Sequence, residues 1–233
     1  MHESGFGRVI GVLISPEKTF RSIAERPTWV VPLLLLMLIT GVVGYAVGER
    51  IDYDKTVRQK MAESGQSVSE AQIEKGVEFA KKFGAVFTLM PAVLSPIVYL
   101  LIALVFMGIL RLAGSEIRFD QSFSVNLHSM MPWMIHGLLS LPLILRLEEI
   151  DPDEMQRRGV LLSNLAALAP EGSGKVLTAF LASLDLFSVW TLILLIIGYR
   201  VAARVSTATA AGVAVTLWLL WVGVKLGFIA AFA

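Results

Sequence analysis

The sequence contains no cysteine among its 233 residues. Disulfide bonds, a thiol nucleophile and cysteine-ligated metal sites are therefore excluded. Charged side chains are scarce, at 17% of the chain, against about 25% in soluble domains. The net charge is only +1, which does not favour nucleic acid as a partner. The motifs H-E-x-x-H, G-x-S-x-G and the P-loop are missing too, so we predict a protein that is not an enzyme and uses no cofactor.

Long apolar runs dominate the rest of the sequence, and 55% of its residues are hydrophobic. Five runs can cross a bilayer core of about 30 Å as helices. They cover residues 29–48, 83–110, 122–145, 177–198 and 210–232. We predict an all-α integral membrane protein, a single domain over residues 1–233 with a bundle of five transmembrane helices. In the first run Gly41 and Gly44 allow close helix contact, but their spacing is not GxxxG.

Residues 1–27 precede the first run and carry two helical signals. Apolar side chains from Phe6 to Ile14 recur at helical spacing, and Ser15-Pro16 is typical of a second helix start. We predict two amphipathic interfacial helices on the cytosolic side. Two interpretations stay open: the helices lie on anionic headgroups, or they pack under the bundle.

The longest polar segment, residues 49–82, separates the first two runs. It carries two apolar stripes, one from Tyr53 to Met61 and one from Ile73 to Ala80. Ser67-x-x-Glu70 and Ser69-x-x-Gln72 are both capping-box patterns. We predict an extramembrane helical hairpin between spans one and two, which is either a partner-binding protrusion or a solvated connection.

Other local signals concern helix continuity. Pro91 and Pro96 predict a kink in the second run, and Pro132 and Pro142 predict breaks in the third. Residues 160–169 are apolar but too short to cross a bilayer. We predict that they form an amphipathic segment at the membrane surface.

Ionisable side chains occur inside three of the runs. Asp185, Lys225 and His136 lie about 15, 10 and 13 Å below the outer ends of their spans, at about 1.5 Å per residue. Intramembrane charges pair with one another, so we predict a buried Asp185–Lys225 pair with His136 nearby. This cluster is either a proton- or substrate-coupling site or a structural pair that sets helix register. His128 and Asn126 are weaker candidates, and a two-histidine metal site is disfavoured, so no metal is predicted.

The distribution of Lys and Arg between the segments that flank the apolar runs predicts the orientation of the protein in the membrane. The segments before the first run and after the fourth are basic without a nearby acidic excess. This bias favours a cytosolic N-terminus and an outer C-terminus.

Three stretches resemble one known family. They are SPEKTFRSIAERPTWVVPLLLL, SLDLFSVWTLILLIIG and WLLWVGVKLGFIAAF, and their most specific residues are Ser15-Pro16, Phe20, Asp185, Trp190 and Lys225. Together they resemble the bacterial branch of the Yip family, the Ypt/Rab-interacting membrane proteins. The resemblance implies a five-span bundle with a cytosolic N-terminus. Eukaryotic members act in vesicle trafficking through GTPase and partner binding, and we expect this protein to differ from them in lacking a long cytosolic N-terminal domain.

The leading functional prediction is a scaffold or adaptor in the bacterial cytoplasmic membrane. It would act in membrane organisation or trafficking-like processes, with membrane lipids, other membrane proteins or a second copy as partners. The alternative is a small transporter or channel that uses the Asp185, Lys225 and His136 layer.

Overall fold

The fold is helical throughout the part that the structure describes. The structure is a computed structural model that describes residues 4–63, 65, 68–170 and 172–232. Its α-helices are α1 (Gly5–Ile14), α2 (Pro16–Glu25), α3 (Val30–Gly48), α4 (Tyr53–Glu63), α5 (Glu70–Leu112), α6 (Phe119–Ser129), α7 (Met131–Arg146), α8 (Pro152–Arg158), α9 (Lys175–Ser183), α10 (Leu186–Ala202) and α11 (Thr207–Phe232). A short 3₁₀ helix covers Leu165–Leu168. The all-α prediction is confirmed.

In the part of the chain that the structure describes, three helices, α3, α5 and α11, are long and apolar enough to cross a membrane as single helices. Helix α5 has 43 residues and is therefore about 65 Å long, at about 1.5 Å per residue. It continues through Pro91 and Pro96, and the Ser95 hydroxyl donates to the Ala92 carbonyl at 2.9 Å. Because a bilayer core measures only about 30 Å, one end of α5 must extend beyond it.

Two glycines four residues apart bring α3 close to α5. A Cβ at Gly44 would overlap the Thr88 carbonyl oxygen, and a Cβ at Gly48 would lie 2.7 Å from Thr88 Oγ1. Gly41, by contrast, meets only Ala92 Cβ at 3.7 Å. The close-contact motif is therefore Gly44-x-x-x-Gly48, which is a GxxxG pattern. The spacing of Gly41 and Gly44, considered alone, did not predict it.

Helix α4 and the first part of α5 form the predicted helical hairpin. The Gln72 side chain accepts from the Ser69 backbone N–H at 2.9 Å, as one half of a capping box does. The competing pattern begins at Ser67, which lies outside the described residues. Inside the hairpin, a Cβ at Gly76 would meet Met61 at 3.0 Å.

The two N-terminal helices pack against the bundle. Phe20 and Ile23 of α2 are fully buried, and a Cβ at Gly198 of α10 would lie only 3.0 Å from the Phe20 ring. Arg8 of α1 is 6% exposed and donates to the Arg26 carbonyl at 2.6 Å. Arg8 therefore links α1 to the end of α2 by this hydrogen bond. Its guanidinium points into the protein and not toward a headgroup layer.

The third and fourth apolar runs each form two helices. The third divides into α6 and α7 at Met130, where Pro132 occupies the first turn of α7, while Pro142 lies inside that helix without ending it. The fourth divides into α9 and α10 around Leu184 and Asp185.

Residues 160–169 fold against this second break. The Leu186 N–H donates to the Ser163 carbonyl at 2.9 Å, and the Leu165 N–H donates to the Leu184 carbonyl at 3.2 Å. The only helical part of the segment is the short 3₁₀ turn from Leu165 to Leu168. The segment thus supplies backbone partners that a broken helix requires, and its position at the membrane surface stays a prediction.

A hydrogen-bonded aromatic cluster joins α5, α6 and α10. Tyr199 is fully buried and stacks on Phe106 with ring centroids 4.3 Å apart. Its hydroxyl lies 3.0 Å from Ser122 Oγ, which donates to the Ala103 carbonyl at 2.7 Å. These bonds satisfy polar atoms inside an otherwise apolar core.

Candidate functional site

Asp185 stands at the break between α9 and α10, as the N-cap of α10. Its carboxylate accepts from the Phe187 N–H at 2.7 Å and the Ser188 N–H at 3.3 Å. The Ser163 hydroxyl donates to the other carboxylate oxygen. The free N–H groups and positive dipole end of a helix stabilise a carboxylate there, which explains how a charge can be only 4% exposed.

Lys225 of α11 has different partners. Its ammonium donates to Ser183 Oγ at 3.2 Å and to the Ala179 carbonyl at 3.5 Å. Among the described residues no ion pair joins Lys225 to Asp185. The predicted direct pair is therefore not formed, because the carboxylate is already taken up by the start of α10.

His136 lies beside the same break. Its ring meets Phe187 edge-on, with centroids 5.1 Å apart, and tilts against Trp133 at 5.3 Å. Its Nδ1 lies 3.4 Å from Ser140 Oγ. The structure thus places His136 and Asp185 around Phe187, but in contact with different groups.

The weaker candidates, His128 and Asn126, are on α6 and away from this break. His128 is fully buried, and its Nδ1 donates to the Ser124 carbonyl at 2.8 Å. The Asn126 side-chain amide donates to the Tyr99 carbonyl at 2.9 Å, across to α5. His128 thus bonds within α6 and Asn126 bonds across to α5, while His128 Nε2 and Asn126 Oδ1 have no hydrogen-bond partner among the described residues. The described residues contain no group of three or more His, Asp or Glu arranged to hold a metal ion.

A cleft of about 560 Å³ lies beside Lys225, between α5, α10 and α11. Its walls are mostly apolar and include Leu101, Trp218 and Trp221. Its polar groups include Lys225 and Thr191. The sequence predicted Lys225 in a polar layer but did not predict the cleft. A cleft between helices depends on how they pack, and the sequence of one apolar run does not show that.

Charged side chains outside the bundle hold the hairpin to the segment after α7. Lys55 pairs with Glu149 at 2.7 Å, and Lys60 pairs with Asp153 at 3.2 Å. The hydrogen bond to Glu149 and its negative charge raise the pKa of Lys55. In addition, the Ile150 N–H donates to the Arg50 carbonyl, just after α3, at 2.8 Å. The hairpin is thus tied to the rest of the protein at several points.

Comparison with known proteins decides the family. The family model described as "Yip1 domain" matches residues 10–229. The chain belongs to the Yip1 family. In this Yip1-family protein the described residues form a helix break capped by Asp185 and a cleft beside Lys225. The predicted resemblance is confirmed, and with it the prediction of a membrane protein.

A curated relative of this Yip1-family chain comes from Bacillus subtilis (strain 168). It is membrane protein YknW, which is 26% identical over 205 residues, or 85% of this chain and 79% of YknW. This similarity is consistent with the bacterial branch of the family. No solved structure matches the chain.

Proposed function

We propose that this protein is a non-enzymatic scaffold or adaptor with five spans in a bacterial cytoplasmic membrane. In this arrangement α3, α5 and α11 cross as single helices, whereas α6 with α7 and α9 with α10 cross as broken pairs. The N-terminus is cytosolic and the C-terminus lies outside.

Hydrogen bonds between connections support this path. At one end of the bundle the Ser115 hydroxyl donates to the Ala203 carbonyl at 2.8 Å. At the other end Arg50 donates to the Leu147 carbonyl at 3.1 Å. Both bonds support a path in which successive crossings alternate between the two faces.

The exposed face of α1 supports an interfacial position for the first helix. Phe6, Ile10 and Ile14 are more than half exposed, whereas Val9 and Val12 face the bundle. A helix with apolar side chains on its outer face and a buried inner face fits the boundary between headgroups and acyl chains.

The observation that carries the scaffold proposal is the hairpin of α4 and α5. Because α5 is continuous from Glu70 to Leu112, the hairpin is rigidly coupled to a membrane-crossing helix. Its ion pairs to the segment after α7 restrain it from a second side. Such a fixed projection presents a constant surface to a partner, which a flexible connection would not.

Crosslinking in intact membranes tests this role. A photoreactive residue in place of Lys75, which is exposed on the hairpin, should give one discrete protein adduct. The same residue in place of Leu94, exposed on the apolar part of α5, is the matched control and should give mainly lipid adducts. An adduct at twice the chain mass would identify a second copy as the partner. Absence of any protein adduct at position 75 would contradict the proposal.

The transporter alternative requires Asp185, Lys225 and His136 to change their contacts during transport. The three hydrogen bonds of Asp185 favour a permanent capping role over that behaviour. A flux assay on reconstituted Asp185→Asn protein distinguishes the two roles. Lost solute flux with unchanged stability would favour the transporter.

A further inference from the structure

Lys225 is a cation at the edge of an apolar cleft, and none of the carboxylates that the structure describes pairs with it. Two of its three ammonium protons are directed to Ser183 Oγ at 3.2 Å and the Ala179 carbonyl at 3.5 Å. No ion pair to Lys225 occurs among the described residues. Asp185, the nearby acid, is engaged by Ser163 and the first N–H groups of α10. Lys225 therefore retains a donor and an uncompensated positive charge at the cleft wall.

The Thr191 hydroxyl is a second polar group in the cleft, and it has no hydrogen-bond partner among the described residues. Thr191 of α10 is 6% exposed, and its buried hydroxyl has no hydrogen-bond partner. Thr191 lines the same cleft as Lys225. Buried hydroxyl groups are normally hydrogen-bonded, so Thr191 offers a free donor to an oxygen atom of a ligand in the cleft.

The rim of the cleft is exposed to the outside of the bundle. Leu101 and Val105 of α5 are 54% and 46% exposed, and Trp221 of α11 is 67% exposed. All three side chains line the cleft. Because these helices are apolar enough to cross a membrane, the opening faces acyl chains.

We propose that this cleft binds one anionic phospholipid from the surrounding bilayer. An acyl chain lies between α5 and α11, the anionic headgroup pairs with Lys225, and the Thr191 hydroxyl donates to an ester oxygen. Charge complementarity selects an anionic over a zwitterionic lipid. The volume of about 560 Å³ falls within the range of about 300–1,000 Å³ typical of small-molecule sites.

Native mass spectrometry of the delipidated full chain tests the proposal. Dioleoyl phosphatidylglycerol and dioleoyl phosphatidylcholine are titrated separately, and the first bound lipid is quantified. The parent should prefer phosphatidylglycerol about tenfold, because Lys225 repels the choline ammonium of phosphatidylcholine and phosphatidylglycerol carries no such cation. Lys225→Gln should abolish that preference, and Lys225→Arg should keep most of it.

Two further variants separate the cleft from the general surface. Lys175→Gln makes the same charge change at an exposed position of α9 outside the cleft and should leave the preference unchanged. Ala182→Phe fills the cleft without changing charge and should weaken binding of both lipids. The proposal is overturned if Lys225→Gln retains the preference, or if Lys175→Gln loses as much of it. Because this experiment requires no protein partner, its failure would leave the scaffold proposal standing, and the reverse is also true.

Discussion

Replacing Asp185 with alanine is the sharpest test of how this fold accommodates a buried charge. The carboxylate accepts from the Phe187 N–H, the Ser188 N–H and the Ser163 hydroxyl. Since Asp185 is only 4% exposed, water is poorly placed to replace it. Alanine at this position leaves all three donors without their acceptor.

The expected loss can be assembled from two parts. Removing an N-cap costs about 1 kcal/mol, and losing a hydrogen bond to a charged group costs about 1.5–3 kcal/mol. Asp185→Ala should therefore lower the free energy of unfolding by about 2.5–4 kcal/mol. Asp185→Asn should cost about 1 kcal/mol or less, because asparagine caps helices as well as aspartate and retains an acceptor oxygen.

The assay is reversible unfolding in mixed micelles, with helix content followed by circular dichroism. A double-mutant cycle of Asp185→Ala with Ser163→Ala should be strongly non-additive, since both changes remove the same hydrogen bond. A second cycle, of Asp185→Ala with Lys225→Met, should be additive to within about 0.5 kcal/mol.

The opposite pattern would refute the capping argument. If Asp185 and Lys225 formed a buried ion pair, Asp185→Asn would cost as much as Asp185→Ala, about 3–5 kcal/mol. Lys225→Met would then restore part of the stability lost in Asp185→Asn. Either result would restore the pairing predicted from the sequence.

Two other predictions concern helix contacts. Hydrogen bonds from Arg21 and Arg200 lower the pKa of Glu17 below its ordinary 4.5. The Glu17 carboxylate therefore stabilises the fold fully above pH 4.5, and this stabilisation is lost as the pH falls through the folded-state pKa. The difference in unfolding free energy between the parent and Glu17→Gln should thus shrink from pH 7 to about pH 3, and a constant difference would contradict it. Gly44→Ala forces a methyl group onto the facing carbonyl of α5 and should cost about 1–3 kcal/mol in the same unfolding assay. Gly212→Ala, with open space around it, is the matched control and should be neutral or stabilising, so equal losses would argue against close packing at Gly44.

Helix positions were largely predictable because they depend on local sequence. Ser15-Pro16 correctly marks the start of α2, and the pattern at Ser69 and Gln72 correctly marks the start of α5. The first and last apolar runs correspond closely to α3 and α11. Each signal lies within a few residues of the feature it predicts, so no knowledge of distant partners is needed.

The candidate site was only partly predictable. Depth along a helix placed Asp185, Lys225 and His136 in one layer, but depth does not indicate which way a side chain points. The apolar run from residue 177 to 198 also concealed the break, because Ser163, which lies outside that run, helps to stabilise it.

The sequence by itself determined an all-helical membrane protein of the Yip1 family, with a helical hairpin after α3. It did so because bilayer solvation and helix capping act on composition and short patterns. Only the tertiary structure decided that Asp185 caps a helix, that Lys225 faces an apolar cleft, and that Gly44 and Gly48 approach α5. Those outcomes depend on which side chains from distant parts of the chain compete for the same partner, and that competition takes place only once the helices are packed.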